Sequence, residues 1–371
     1  MDTIFIIIFL GAAQGIFLGL ILITLNRGNQ QANRALGLLM ILISVNLLYI
    51  IIQADGIYQQ MPHLLLLNVP LLFLYGPLIL LYVLYLTRPG FSLRSVHVVN
   101  LLPFIAAAVY FAVAFYFHPG DEKISMFQAR TQSITFEDYF WSLSAIAYNL
   151  VYLILAVFAL QKHKKRIQQV FSNTEKINLQ WLQFLLLGLI GLFVLNSVFD
   201  ILYLMGVAGE LGLTAMAVAG TLLIYMIGYR GLVQPEIFTF EEPAARADEE
   251  TLSGLTVEQF ERLSSRIEQL MEREKPYLDP SLTIKDLANQ ADIPDYKLSA
   301  VINDHFEKNF FEFVNRYMIE EAKQRLQDPD YENFTILAIA NDVGFNSKSS
   351  FNTAFKRFTQ MTPSQFRNAR N

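Results

Sequence analysis

From Thr335 to Arg370 the chain reads TILAIANDVGFNSKSSFNTAFKRFTQMTPSQFRNAR. Its apolar residues keep a helical period twice. Ile336, Ile339 and Ala340 mark a short helix, Gly344 breaks it, and Phe351, Ala354, Phe355 and Phe358 recur at i, i+3, i+4 and i+7 in a second helix. Gly344 supplies the positive φ that a tight interhelical turn demands, and Ser347 is placed to cap the second helix. The pattern predicts a helix-turn-helix whose second helix packs with an aromatic face. Its opposite face carries Lys348, Ser349, Asn352, Thr353 and Lys356, which can bond base edges or phosphates. From Val343 to Asn371 there are five basic residues (Lys348, Lys356, Arg357, Arg367 and Arg370) and no Asp or Glu, whereas Leu278 to Asp342 holds thirteen acids against six bases. Positive charge is concentrated where a phosphate backbone would lie.

These residues carry a family resemblance. IANDVGF, then F-x3-FK, then TPSQFR, resembles the C-terminal signature of AraC-type transcription regulators. The resemblance implies two helix-turn-helix units within about a hundred residues. A second unit is visible upstream in TIKDLANQADIPDYKLSAVINDHF, Thr283 to Phe306, with Leu287 and Ala288 on one helix and Leu298, Val301 and Ile302 on the next. Asp292 stands at its turn, since Asp tolerates the left-handed conformation better than most residues. A longer helix over FFEFVNRYMIEEAKQRL, Phe310 to Leu326, would join the units. The sequence departs from the family pattern at Gln360, where Gly is usual, at Phe366, where Tyr is usual, and at Met318, where Arg is usual. Resemblance and helix geometry together assign Lys348, Ser349, Asn352 and Thr353 to base edges and Lys356 and Arg357 to phosphates. In the first unit the family pattern points to Tyr296, Lys297 and Ala300, the last unable to hydrogen-bond.

The rest of the chain is of another kind. Of 371 residues 53% are hydrophobic and 16% charged, but before Arg230 the sequence is nearly all apolar blocks. Seven segments are long enough to cross a bilayer: Ile4 to Leu25, Leu36 to Gln53, Leu64 to Thr87, Val96 to Phe117, Trp141 to Gln161, Trp181 to Met205 and Leu211 to Tyr229. No Lys or Arg precedes the first, so it reads as an anchor. The loops after spans one, three and five hold nine Lys and Arg, and those after spans two, four and six hold two. That asymmetry predicts an outside N-terminus and a cytoplasmic C-terminal region, and the AraC-type resemblance implies a bacterial plasma (inner) membrane.

Gly11, Gly15 and Gly19 share one face of the first span, which suits close helix packing within a bundle or across a dimer. Pro70, Gly76 and Pro77 interrupt the third span, and Pro103 the fourth. His118 to Glu122, HPGDE, reads as a turn. Asp200 is the only Asp, Glu, Lys or Arg placed inside a span. With Asn196 one turn before it and Tyr203 nearby, it forms a polar cluster that suits either a structural carboxylate or a signal-receiving site. Absence of cysteine removes disulfides and thiolate chemistry. No metal-ligand spacing, catalytic triad or paired carboxylates stand out, so neither an enzyme nor a bound metal or cofactor is expected.

Between the halves, QPEIFTFEEPAARADEETLSG reads as a linker. It ends at a helix opened by a Thr256–Gln259 capping box, with Phe260, Leu263, Ile267 and Leu270 as an apolar stripe. That stripe suits a dimer seam or packing against its own domain.

The expected architecture is all-α: residues 1–230 a seven-span transmembrane domain, 231–277 a linker with an amphipathic helix, and 278–371 an AraC-type DNA-binding domain. The expected function is a membrane-embedded, sequence-specific transcription regulator that couples an extracellular or membrane signal to gene expression. Alternatives are a tethered regulator released by proteolysis, or a transporter or enzyme fused to a regulator. Expected partners are double-stranded DNA, the lipid bilayer, a second copy in a homodimer, a small-molecule or membrane signal, and RNA polymerase.

Overall fold

A computed structural model describes residues 3–26, 28–88, 90–93, 98–132, 135–174, 179–204, 210–233 and 256–369. The described residues are helical throughout apart from turns and one isolated antiparallel bridge, Phe171 with Thr283. They form two compact units. The first comprises Met1–Gln161 and Gln180–Thr239, the second Lys162–Leu179 and Phe240–Asn371. The linker read in residues 234–255 lies outside the described residues.

The first unit holds α1 (Thr3–Thr24), α2 (Gln30–Ala54), α3 (Asn68–Leu71), α4 (Tyr75–Thr87), α5 (Leu102–Phe111), α6 (Gly120–Gln132), α7 (Phe136–Val170, to Gln161), α8 (Gln180–Leu204) and α9 (Glu210–Val233). Among the described residues five stretches are long and apolar enough to cross a membrane: Phe5–Thr24, Gln30–Ala54, Pro62–Thr87, Val99–Tyr116 and Phe136–Val170. Shorter apolar stretches, Gln180–Leu195 and Ala217–Ile227, lie in α8 and α9.

The glycines of α1 meet neighbours inside the unit. A Cβ at Gly11 would stand 2.5 Å from Thr221 Cγ2 on α9, one at Gly15 would collide with Ser44 Oγ, and one at Gly19 would stand 2.8 Å from the Gly37 carbonyl oxygen on α2. Small residues thus let three backbones approach within one bundle, which favours the intrabundle alternative.

The third apolar segment is broken as its prolines predict. A short 3-10 turn, Leu72–Leu74, separates α3 from α4. Asn149 of α7, buried in the core, repairs the break: its Nδ2 donates to the Leu72 carbonyl at 3.0 Å, and its Oδ1 accepts from the Gly76 N–H at 2.6 Å. Two details differ from the sequence reading. Pro103 starts α5 at its first turn, where a missing N–H costs nothing, instead of interrupting a helix. His118 to Glu122 leads directly into α6, whose first turn carries Asp121 and Glu122 against the helix dipole.

The second unit is built from α10 (Val257–Arg273), α11 (Ile284–Ala291), α12 (Asp295–Asp304), α13 (Phe310–Gln327), α14 (Ile336–Asp342), α15 (Lys348–Thr359) and α16 (Pro363–Asn368). Six of the seven starts have a side-chain cap, and α12 follows Pro294 without one. Thr256, Thr283, Asn309, Thr335, Ser347 and Thr362 are N-caps whose side chains accept from backbone N–H groups, and at Thr256, Thr283 and Thr362 the capping box is complete. The apolar stripe of α10 settles into this unit's own core: Ile267 and Met271 are fully buried, with Phe260, Leu263 and Leu270 packed alongside. That packing occupies the face a dimer seam would need.

A charged cluster ties the unit together. Glu321 of α13, nearly buried, accepts from Lys275 Nζ at 2.8 Å, pairs with Arg325 Nη2 at 3.0 Å, and takes the Tyr277 hydroxyl hydrogen bond at 3.3 Å. Burial raises the proton affinity of its carboxyl, but the Lys275 and Arg325 hydrogen bonds outweigh that and hold it below the usual range. Arg325 also reaches Asp342 of α14 at 3.5 Å, so one network spans the helix joining the two helical pairs.

Candidate nucleic-acid interface

The two helical pairs, α11–α12 and α14–α15, share a construction. In each, the first helix buries its apolar side (Leu287 and Ala288; Ile339 and Ala340) and a left-handed residue turns the chain into the second helix. In the first pair the turn residue is Asp292, with φ 52°; in the second it is Gly344, with φ 97°. Gly344 is also sterically confined. A Cβ there would stand 2.5 Å from the Tyr277 carbonyl oxygen and 2.6 Å from Met318 Cε. Met318, where the related pattern has Arg, is the buried side chain that fills this space.

The aromatic face of α15 is packed. Phe351 and Phe355 are fully buried, their rings 5.5 Å apart, and Phe366 of α16 meets Phe355 at 5.4 Å. Phe358, assigned inward by its spacing, is instead 37% exposed. The reason is local: Gln360 ends α15 in the left-handed conformation, with φ 63°, and α16 covers Phe355 one turn earlier.

The opposite face of α15 is polar and accessible. Lys348, Ser349, Thr353, Lys356 and Arg357 are exposed and Asn352 is half-buried. Asn352, Thr353, Lys356 and Arg357 line a shallow concavity with Gln360 and Thr362. The last two were missed in the sequence because they lie past the helix, where no period points to them. Arg357 carries a further constraint, an ion pair with Glu312 of α13.

In α12 the residues separate. Tyr296 is exposed and Lys297 half-buried, whereas Ala300 is buried at 6% exposure. Ala300 therefore does not present its methyl to a base. Two polar neighbours stand on the accessible side instead: Ser299, and Asn303, whose Nδ2 lies 3.4 Å from the Ser299 hydroxyl. A Ser and an Asn one turn apart are a readable signal that lies outside the positions the family pattern marks. For the proposed sensing cluster, α8 passes through Asn196, Asp200 and Tyr203, but their side chains lie outside the described residues.

Two helical pairs with left-handed turns, joined by one long helix and each presenting a polar second helix, define a tandem helix-turn-helix domain. The comparisons agree: residues 287–369 match the family described as "Helix-turn-helix domain". The transcriptional regulatory protein HptR of Staphylococcus aureus (strain NCTC 8325 / PS 47) is 28% identical over 100 residues, 27% of this chain and 38% of that protein. A putative AraC-like transcription regulator of Streptomyces lividans is 33% identical over 87 residues, 24% of this chain and 28% of that protein. The similarity thus spans less than two fifths of the length of either relative. No solved structure matches. Residues 287–369 thus carry a helix-turn-helix domain, similar to that of these regulators.

Proposed function

We propose that this chain is a membrane-embedded transcription regulator that reads a specific DNA sequence through α12 and α15. One observation carries the reading: α15 buries Phe351 and Phe355 completely while exposing Lys348, Ser349, Thr353 and Lys356. A helix held on one side by aromatic packing and polar on the other is what a major groove accepts. The five long apolar stretches, with nine Lys and Arg against two in alternate loops, support a bilayer location with the DNA-reading domain in the cytoplasm.

Function as a regulator then requires that a signal favour one state of the protein over another. Asn196, Asp200 and Tyr203 are the proposed receiving residues, by their polarity at one end of an apolar helix. The test is binding-site selection from a random duplex pool by the full chain in lipid nanodiscs. Enrichment of one sequence is expected, with affinity falling steeply with salt. A pool that stays random through successive rounds overturns the reading.

A further inference from the structure

The second unit contains a segment that the sequence assigns to a loop between apolar spans. Residues 162–179 group with it, and their contacts are specific. The Ser172 N–H donates to the Leu282 carbonyl at 3.1 Å, and the Ser172 hydroxyl donates to the same oxygen at 2.7 Å. Phe171 pairs with Thr283 as an antiparallel bridge. From α13, Asn315 Nδ2 donates to the Ser172 carbonyl at 3.1 Å, and Val170 packs on the unit's core. Ser172 and Asn315 are both buried. Buried and mutually satisfied polar groups specify one docked arrangement.

The position of this contact matters because the two helix-turn-helix units are repeats. Leu282, Thr283 and Ile284 open α11 as Phe334, Thr335 and Ile336 open α14. At the second unit the opening is accessible: Phe334 is 43% exposed and Thr335 is exposed. At the first it is covered: Leu282 is 2% exposed, Ile284 is buried, and Thr283 is half-buried under the bridge to Phe171. In helix-turn-helix docking the first helix crosses the DNA backbone.

We propose that residues 170–174 are an autoinhibitory clamp, holding the opening of α11 away from the phosphate backbone until the segment lifts. The clamp leaves α14–α15 accessible, so the docked protein reads DNA through one unit and the released protein through two. The segment continues α7 without a break in the helix up to Val170, so a rearrangement of that helix has a covalent route to the first DNA-reading unit. This inference rests on the function proposed above.

The absence of native cysteine makes a direct test available. Phe171→Cys with Thr283→Cys places two thiols at paired positions of an antiparallel bridge, within disulfide reach. The full chain in nanodiscs would be titrated, oxidised and then reduced, with fluorescent random-sequence duplex DNA as the probe. We expect the oxidised form to bind about tenfold more weakly than the reduced form. Equal affinity of the two forms, or failure of the disulfide to form, overturns the clamp. Ser172→Pro, which removes both donors to Leu282, gives an independent reading: tighter binding than the parent chain supports the clamp, and unchanged or weaker binding overturns it. Loss of DNA binding in every form, the parent included, would instead sink the proposed function.

Discussion

Gly344 lies so close under Tyr277 that a methyl group on its Cα would come within 2.5 Å of the Tyr277 carbonyl oxygen. The turn of the second helix-turn-helix unit is thus fixed twice, by a φ of 97° and by contact with the segment that follows α10. Gly344→Ala should cost about 3 kcal/mol, combining left-handed strain with overpacking. Asp292→Ala, at φ 52°, should cost about 1 kcal/mol, since the strain applies without overpacking and the exposed Arg266 ion pair it loses is weak. The measurement is the midpoint of heat-induced loss of DNA binding; equal shifts for the two variants would show that the close approach is unimportant.

Gln360 makes the converse prediction. It caps α15 with φ 63°, where the related pattern has Gly, and its Nε2 donates to the Arg357 carbonyl at 3.3 Å. Relief of the left-handed conformation should outweigh that long, exposed hydrogen bond. Gln360→Gly is expected to stabilise the domain by about 1 kcal/mol. Because Gln360 also lines the concavity beside Asn352, affinity and melting midpoint should be read together. A lower midpoint in the Gly variant would mean that the side chain has a structural role the contacts do not show.

Under the proposed function, the polar face of α15 divides into residues that specify and residues that only attract. Asn352→Ala should relax preference at one base pair at a cost of about 1 to 3 kcal/mol. Lys356→Ala should weaken all duplexes alike and flatten the salt dependence. Arg357 is held by Glu312, so Arg357→Ala should change affinity less than Lys356→Ala. Competition binding against a panel of single-base variants distinguishes these outcomes, and matching profiles for Asn352→Ala and Lys356→Ala would remove the assignment.

Much of this domain was legible because local chemistry and tertiary packing agree. Thr256 with Gln259, the periodic Leu298, Val301 and Ile302, and the turn residues Asp292 and Gly344 all stand as their neighbours in sequence require. The departures from the sequence pattern fall where distant contacts decide. Phe358 obeys the period of α15 yet lies beyond the reach of α16, and Ala300 is buried although its family position suggests a reader. No periodic feature of residues 162–179 announces Ser172 as a donor to Leu282, because that contact joins residues 110 apart.

Alkaline pH should loosen the second unit. The Tyr317 hydroxyl is pushed up from 10.0 to about 12, by burial first and then by Glu268 and Glu272, with Arg316 opposing. Burial also raises Tyr277, and its hydrogen bond to Glu321 adds to the effect. Each raised value means that the folded state favours the neutral phenol. The stabilisation is therefore complete below the unfolded value of 10.0 and is lost as pH rises through about 12. Phenolate absorbance should appear together with loss of DNA binding in that range, and Tyr317→Phe should move the transition to higher pH. A variant that unfolds at the parent's pH would place the weak point elsewhere.

Orientation in the membrane is the prediction that fixes where all this chemistry occurs. Alternate loops differ nine to two in Lys and Arg, and the basic set includes Lys162, Lys164 and Lys165, all exposed at the end of α7. A chain without cysteine accepts single reporters cleanly. Gln59 and Thr135 lie in the sparsely charged loops, and Gln169 is exposed at the end of α7, unlike the buried Ser172. Gln59→Cys and Thr135→Cys should react with an impermeant maleimide in intact cells. Gln169→Cys should react only after lysis, because the same side of the bilayer must hold both this segment and the DNA. Labelling of Gln169→Cys in sealed cells would reverse the topology and separate the helix-turn-helix domain from any chromosome it could read.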